Sequence, residues 1–147
     1  MLLDDRNIAL NDIIVLCEEI ADEYLDAAEL IGDPELSRMF RELAQQRERI
    51  AAELSQHILD LGALPRVPDT EKEMLERLVL RMKATLSADE RLALIEERMQ
   101  AETEIGRLVD HTLQANLPEP TRAVLCRLRD EAMDARARLS AKAGVAS

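Results

Sequence analysis

Arg47, Glu102 and His57 are the residues whose chemistry and spacing do not fit the stretches that carry them. Over residues 33–61, Leu36, Phe40, Leu43, Ile50, Leu54 and Leu61 recur at steps that combine three and four, the signature of one helical face. That face also takes in Arg47 and His57. A second seam, Leu92, Ile95, Met99, Ile105/Gly106, Val109 and Leu113, takes in Glu102. Inward carboxylates and histidines on facing helices can build a two-metal centre. Such a centre uses one Glu from each of two helices and Glu-x-x-His from each of the other two. The seams of this chain do not supply that set. Its first inward stripe carries Cys17, its second Arg47 and Ile50, its third Glu102, and its fourth Ala132 and Ala135. A cation at Arg47 would repel a divalent metal. Glu102 and His57 are the remaining metal-ligand candidates, and no convergent cluster joins them.

The lone charges suggest a different chemistry. A guanidinium and a carboxylate match as a two-pronged fork. Each would be costly to bury alone, and together they roughly break even. The spacing therefore predicts a buried ion pair between Arg47 and Glu102. The competing arrangement has Arg47 run its aliphatic stem along the seam and place its charge outside. His57 lies near the end of its seam and reads as a capping or partly exposed histidine. Glu53 stands at the wrong offset from it for Glu-x-x-His. His111 reads as a surface residue. Cys17 and Cys126 sit among apolar neighbours and read as core thiols rather than a disulfide. Met39, Met74, Met82, Met99 and Met133 fall at helical spacings as core filler. Ser/His/Asp constellations, Gly-rich phosphate loops and CxxC motifs are absent. The expectation is a chain without a catalytic site or cofactor.

Composition narrows the partners. The net charge of −11 disfavours nucleic acid, which needs a basic stripe, and an anionic membrane surface. One Phe, one Tyr and no Trp leave no base-stacking platform and require an aliphatic core. No apolar run approaches the roughly 18 residues of a membrane span, and no signal peptide is visible. The expected location is the cytoplasm.

The elements that must position these residues are helices. Periodicity and capping signals predict them over about 5–31, 34–61, 70–86, 88–115 and 120–141, within a single domain covering 1–147. The first carries Leu10, Ile13/Ile14, Cys17, Ile20/Ala21, Tyr24, Ala27/Ala28 and Ile31 inward. The last carries Val124/Leu125, Leu128, Ala132, Ala135 and Leu139 inward and gives way to a frayed tail at Gly144. Gly32 then Asp33-Pro34 ends one helix and starts the next, so the first pair folds back as a hairpin. Gly62 and the Pro65/Pro68 segment form a long crossover. Thr70–Glu73 and Ser87–Glu90 read as capping boxes. The result is an all-α, ferritin-like four-helix bundle whose long crossover holds one extra short helix.

Tyr24-Leu25-Asp26-Ala27-Ala28, Asp33-Pro34-Glu35-Leu36, the run from Phe40 to Arg47, and Ala52-Glu53-Leu54 carry a family resemblance. Leu61-Gly62, Glu97 and Ala101-Glu102 extend it across nearly the whole chain. The sequence resembles an uncharacterised bacterial single-domain branch of the ferritin-like superfamily, a domain of unknown function. Val109 stands where that branch would carry an aromatic. The resemblance implies the bundle and no assigned activity. The functional expectation is a non-catalytic bundle acting through protein contacts as a homodimer or with an unidentified protein. Apolar surface at Ile13/Ile14 and over 70–86 motivates it. The alternatives are a metal-binding or oxidative-stress protein of ferritin type, and a small acidic chaperone or adaptor.

Overall fold

The computed structural model describes residues 5–60, 62 and 86–146. Four helices account for almost all of them, with no strand among the described residues. They are α1 (Asp5–Leu30), α2 (Pro34–Asp60), α3 (Ala88–Thr112) and α4 (Glu119–Ala146). The expected helix over 70–86, its capping box at Thr70, and Leu61 lie outside the described residues.

Local chemistry sets the helix ends. Gly32 takes φ 70°, a conformation costly for any residue with a Cβ, and reverses the chain after α1. The Asp33 carboxylate accepts from the backbone N–H groups of Glu35 and Leu36, at 3.0 and 3.3 Å, and caps α2. Gly62, at φ 82°, closes the other end of α2. Ser87 and Glu90 form a reciprocal capping box at the start of α3. Helix α3 stops three residues earlier than the sequence suggests. Leu113 is its C-cap, and Gln114 and Ala115 close a tighter turn on His111 and Thr112. The Arg122 side chain donates to the carbonyls of Leu113 and Ala115 there, at 2.9 and 3.2 Å, giving those backbone acceptors a charged partner. Helix α4 extends through Ala146, past the expected frayed tail at Gly144.

Helices α1 and α2 form one antiparallel hairpin and α3 and α4 the other. The hairpins meet through α1 with α3 and α2 with α4; α1/α4 and α2/α3 face across the diagonals, without close backbone approach among the described residues. Side-chain contacts fix the directions. Arg6 near the start of α1 donates to the Asn116 carbonyl just beyond α3, at 2.8 Å. Glu35, Glu42 and Glu53 along α2 pair with Lys142, Arg138 and Arg127 along α4 in reverse order. Every adjacent pair is thus antiparallel, and each diagonal pair is parallel. Helix α2 ends at the opposite end of the bundle from the start of α3.

The core is aliphatic, as one Phe and one Tyr require. All of Leu10, Ile13, Ile14, Cys17, Ile20, Tyr24, Leu43, Ile50, Leu54, Leu125, Leu128 and Leu139 are buried, and the Tyr24 and Phe40 rings meet at 5.7 Å. Burying each large aliphatic group contributes about 1.5–3 kcal/mol. Three placements correct the sequence reading. Met133 is 63 % exposed rather than core filler, because it faces away from the Ala132 and Ala135 stripe. Cys126 is half-buried rather than a core thiol. Ile13 and Ile14 are both buried, so they supply no apolar surface for a partner. Two adjacent residues can both be buried here because α1 packs against both α2 and α3.

Candidate functional site: a buried ion cluster

The α2 stripe places Arg47 between Leu43 and Ile50, and its side chain is fully buried. The stripe of α3 runs Ile95, Arg98, Glu102, Ile105, Val109 and Thr112, at steps of three and four. Glu102 is fully buried at its middle. The two residues belong to diagonal helices, so their long side chains meet along the bundle axis. Arg47 Nη2 donates to Glu102 Oε2 at 2.5 Å, and Nε donates to Oε1 at 3.1 Å. Its Nη1 donates to Glu131 Oε2 on α4 at 3.3 Å. The Tyr24 hydroxyl on α1 donates to Glu102 Oε1 at 2.9 Å. Each of the four helices contributes one group.

This arrangement answers the desolvation problem locally. Glu102 has three donors around its two oxygens, and the Arg47 guanidinium faces two carboxylates. Burial pulls the Arg47 pKa down, but the charge and bonds of Glu102 outweigh it and hold the guanidinium protonated. Burial pushes the Glu131 carboxyl up from its ordinary value, against the opposing pull of Arg47. Burial raises the Tyr24 phenol well above its ordinary value, and the neighbouring Glu102 charge adds to the shift. Cys17 is pushed up to about 12, first by burial, with Arg47 opposing and Glu102 adding. At neutral pH the thiol and phenol therefore stay protonated. The thiol lacks the thiolate character of a nucleophile, and the phenol serves as a fixed donor.

Arg98 is a second buried guanidinium, which hydropathy had hidden behind its neighbour Met99. Its Cζ lies 5.7 Å from the Tyr24 ring centroid, a cation–π distance. Its Nη1 and Nη2 pair with Glu23 at 2.5 Å and Glu97 at 3.0 Å at the bundle surface. Tyr24 is held from both sides, its ring beneath Arg98 and its hydroxyl on Glu102.

The remaining candidates lie elsewhere. His57 is ten residues beyond Arg47, about 15 Å along the helix. Its Nδ1 lies 3.1 Å from the hydroxyl of Thr121, a buried residue at the start of α4. The structure does not bring it together with Glu102. Glu53 pairs with Arg127. His111 is exposed, and the two cysteines are free. Among the described residues no three of His, Cys, Asp and Glu gather as a metal-ligand group. No helix among them is long and apolar enough to cross a membrane.

The matched family is a domain of unknown function, DUF2383, and the match covers residues 7–115. The chain belongs to that family. No curated protein matches it. The DUF2383 stretch spans nearly all of α1 and the whole of α2 and α3, so it contains Tyr24, Arg47, Arg98 and Glu102. Glu131 lies outside it, on α4. The inner ion pair and its tyrosine donor are thus part of the DUF2383 domain, and the outer carboxylate comes from the helix that follows.

Glu131 offers a pH test of the cluster. Its folded pKa lies above its ordinary value of 4.5, so its contribution to stability is present below that value and is lost as pH rises through the folded pKa. The stability of the native protein minus that of Glu131→Gln should fall as pH climbs from about 4 towards neutrality. Urea unfolding at several pH values measures it. A difference that grows with pH would contradict this placement of Glu131.

Proposed function

We propose that this protein is a non-catalytic ferritin-like bundle that acts through its surface, in contacts with other protein and as a homodimer. The single observation that carries this reading is the guanidinium at the meeting point of the four helices. A two-metal centre needs its carboxylates free to face a metal. Here Arg47 engages both oxygens of Glu102 and one of Glu131. The residues present do not fit a metal centre of that type. The order of helix directions, with one connection between opposite ends of the bundle, supports the ferritin-like assignment. Among the described residues the ion cluster and an aliphatic core fill the interior, which supports action at the outer faces. We extend this to a single domain in the cytoplasm, on the strength of the continuous core and the two free cysteines.

Light scattering across the micromolar range should return twice the chain mass of 16.6 kDa. A monomer at every concentration would remove the homodimer. The competing reading, a metal- or oxidant-handling protein, has the topology as its support, which is an argument by analogy. Elemental analysis of protein purified without chelator distinguishes the two. Stoichiometric iron or manganese that disappears in Glu102→Ala would replace the non-catalytic reading with the metal-handling one.

A further inference from the structure

We infer that the centre of the bundle is a receptor site for a guanidinium-class cation, which the chain fills with its own Arg47. The observation is the shape of the donor–acceptor set rather than the presence of acids. Both Glu102 oxygens lie along one edge of the guanidinium, at 3.1 Å from Nε and 2.5 Å from Nη2. Glu131 Oε2 lies on another side, 3.3 Å from Nη1. The Tyr24 hydroxyl spends its proton on Glu102 Oε1 and fixes that carboxylate's orientation without competing for the cation. The acceptors are thus arranged around a flat, three-armed donor. A divalent metal fits this set poorly. It needs several further oxygen or nitrogen ligands, and among the described residues no three metal-ligating side chains converge.

The walls of the site are held independently of Arg47. Tyr24 packs on Phe40 and beneath Arg98, and Glu102 sits on a stripe continued by Ile95 and Ile105. Truncation of Arg47 therefore leaves a cavity of guanidinium shape, with a carboxylate already aimed into it. That carboxylate lacks its counter-ion in the variant, so the site gains by capturing one from solution. This inference is independent of dimerisation. It would survive a monomeric protein and fail on its own test.

The probe is guanidinium chloride at about 50 mM, with methylguanidinium chloride in parallel, each matched against sodium chloride. The proteins are the native chain, Arg47→Ala and Arg47→Ala/Glu102→Gln. Guanidinium should raise the Tm of Arg47→Ala by about 3 °C over the sodium control, if the site binds it with a Kd near 10 mM. The native chain should show only the small destabilisation of a denaturant, and the double variant no rise. If Arg47→Ala does not fold alone, circular dichroism should report recovery of helix on adding guanidinium. Neither a Tm rise nor a recovery of helix would overturn the inference. An equal rise in the double variant, or a rise with manganese and none with guanidinium, would overturn it as well.

Discussion

Arg47→Met should cost about 3–5 kcal/mol of folding stability, which is a large share of what a domain of this size possesses. The loss comes less from the bonds removed than from what remains. Glu102 would be left fully buried without its counter-ion, with Tyr24 as its one remaining donor of the present set. Removing both charges should be far milder. Arg47→Met with Glu102→Leu, and with Tyr24→Phe so that no hydroxyl is orphaned, should recover most of the loss and can exceed the native protein by about 1–4 kcal/mol. Urea unfolding followed by circular dichroism measures each variant. The coupling between positions 47 and 102 should be strongly non-additive, because they share one bidentate contact. Independent, additive losses would mean that the geometry in solution differs from the 2.5 and 3.1 Å contacts described here.

The second large effect is alkaline. Tyr24 is the chain's one tyrosine, and the chain has no tryptophan, so tyrosinate absorbance reports this residue alone. Burial, with the Glu102 charge beside it, raises its folded pKa well above the ordinary value of 10.0. A raised folded pKa contributes stability that is fully present below the ordinary value and is lost as pH rises towards the folded one. Above pH 10 the unfolded chain can release the phenolic proton while the folded chain holds it. Alkali should therefore destabilise the fold through this residue together with Cys17, whose pKa is likewise pushed up, to about 12. Tyrosinate absorbance should appear in the same transition that abolishes helical circular dichroism. Tyr24→Phe, though less stable at neutrality by about 1–3 kcal/mol for the hydrogen bond to a charged group, should lose less stability between pH 10 and 12. Tyrosinate forming near pH 10 with helicity intact would contradict the burial and the bond to Glu102.

Much of this architecture could be read from residue periodicity because each seam repeats with little interruption. The α1 stripe from Leu10 to Ile31 and the α4 stripe from Val124 to Leu139 are buried as their spacing suggests. Arg47 and Glu102 stand out in the sequence because each is a charge within an apolar repeat. Arg98 did not, and the reason is physical. Hydropathy favours Met99 as the inward residue, yet the stripe 95, 98, 102, 105, 109 and 112 takes in Arg98 and leaves Met99 half-buried. A long side chain can bury its stem over Tyr24 and reach Glu23 and Glu97 at the edge, which no hydrophobic scale rewards. The alternation of three and four that links 112, 109, 105 and 102, carried on to 98 and 95, was the signal that could have found it. Glu131 was hidden differently. It lies beside the small-residue stripe of Ala132 and Ala135, and its role comes from the reach of Arg47 across the bundle. The Thr121 partner of His57 likewise depends on how α4 runs against α2.

The diagonal position of the ion pair also bears on the order of folding events. Contacts near the turn of each hairpin join residues close in sequence, nine apart for Ser37–Ala28 and 19 for Arg129–Asp110. The cluster instead closes separations of 55 residues for Arg47–Glu102, 78 for Tyr24–Glu102 and 84 for Arg47–Glu131. Such closures carry more chain entropy than a hairpin does, and they require the two hairpins to dock first. The ion cluster therefore forms no earlier than the docking of the two hairpins. Folding and unfolding rates of Arg47→Met decide the rest: a change confined to the unfolding rate places the cluster after the rate-limiting step, and slower folding places it before.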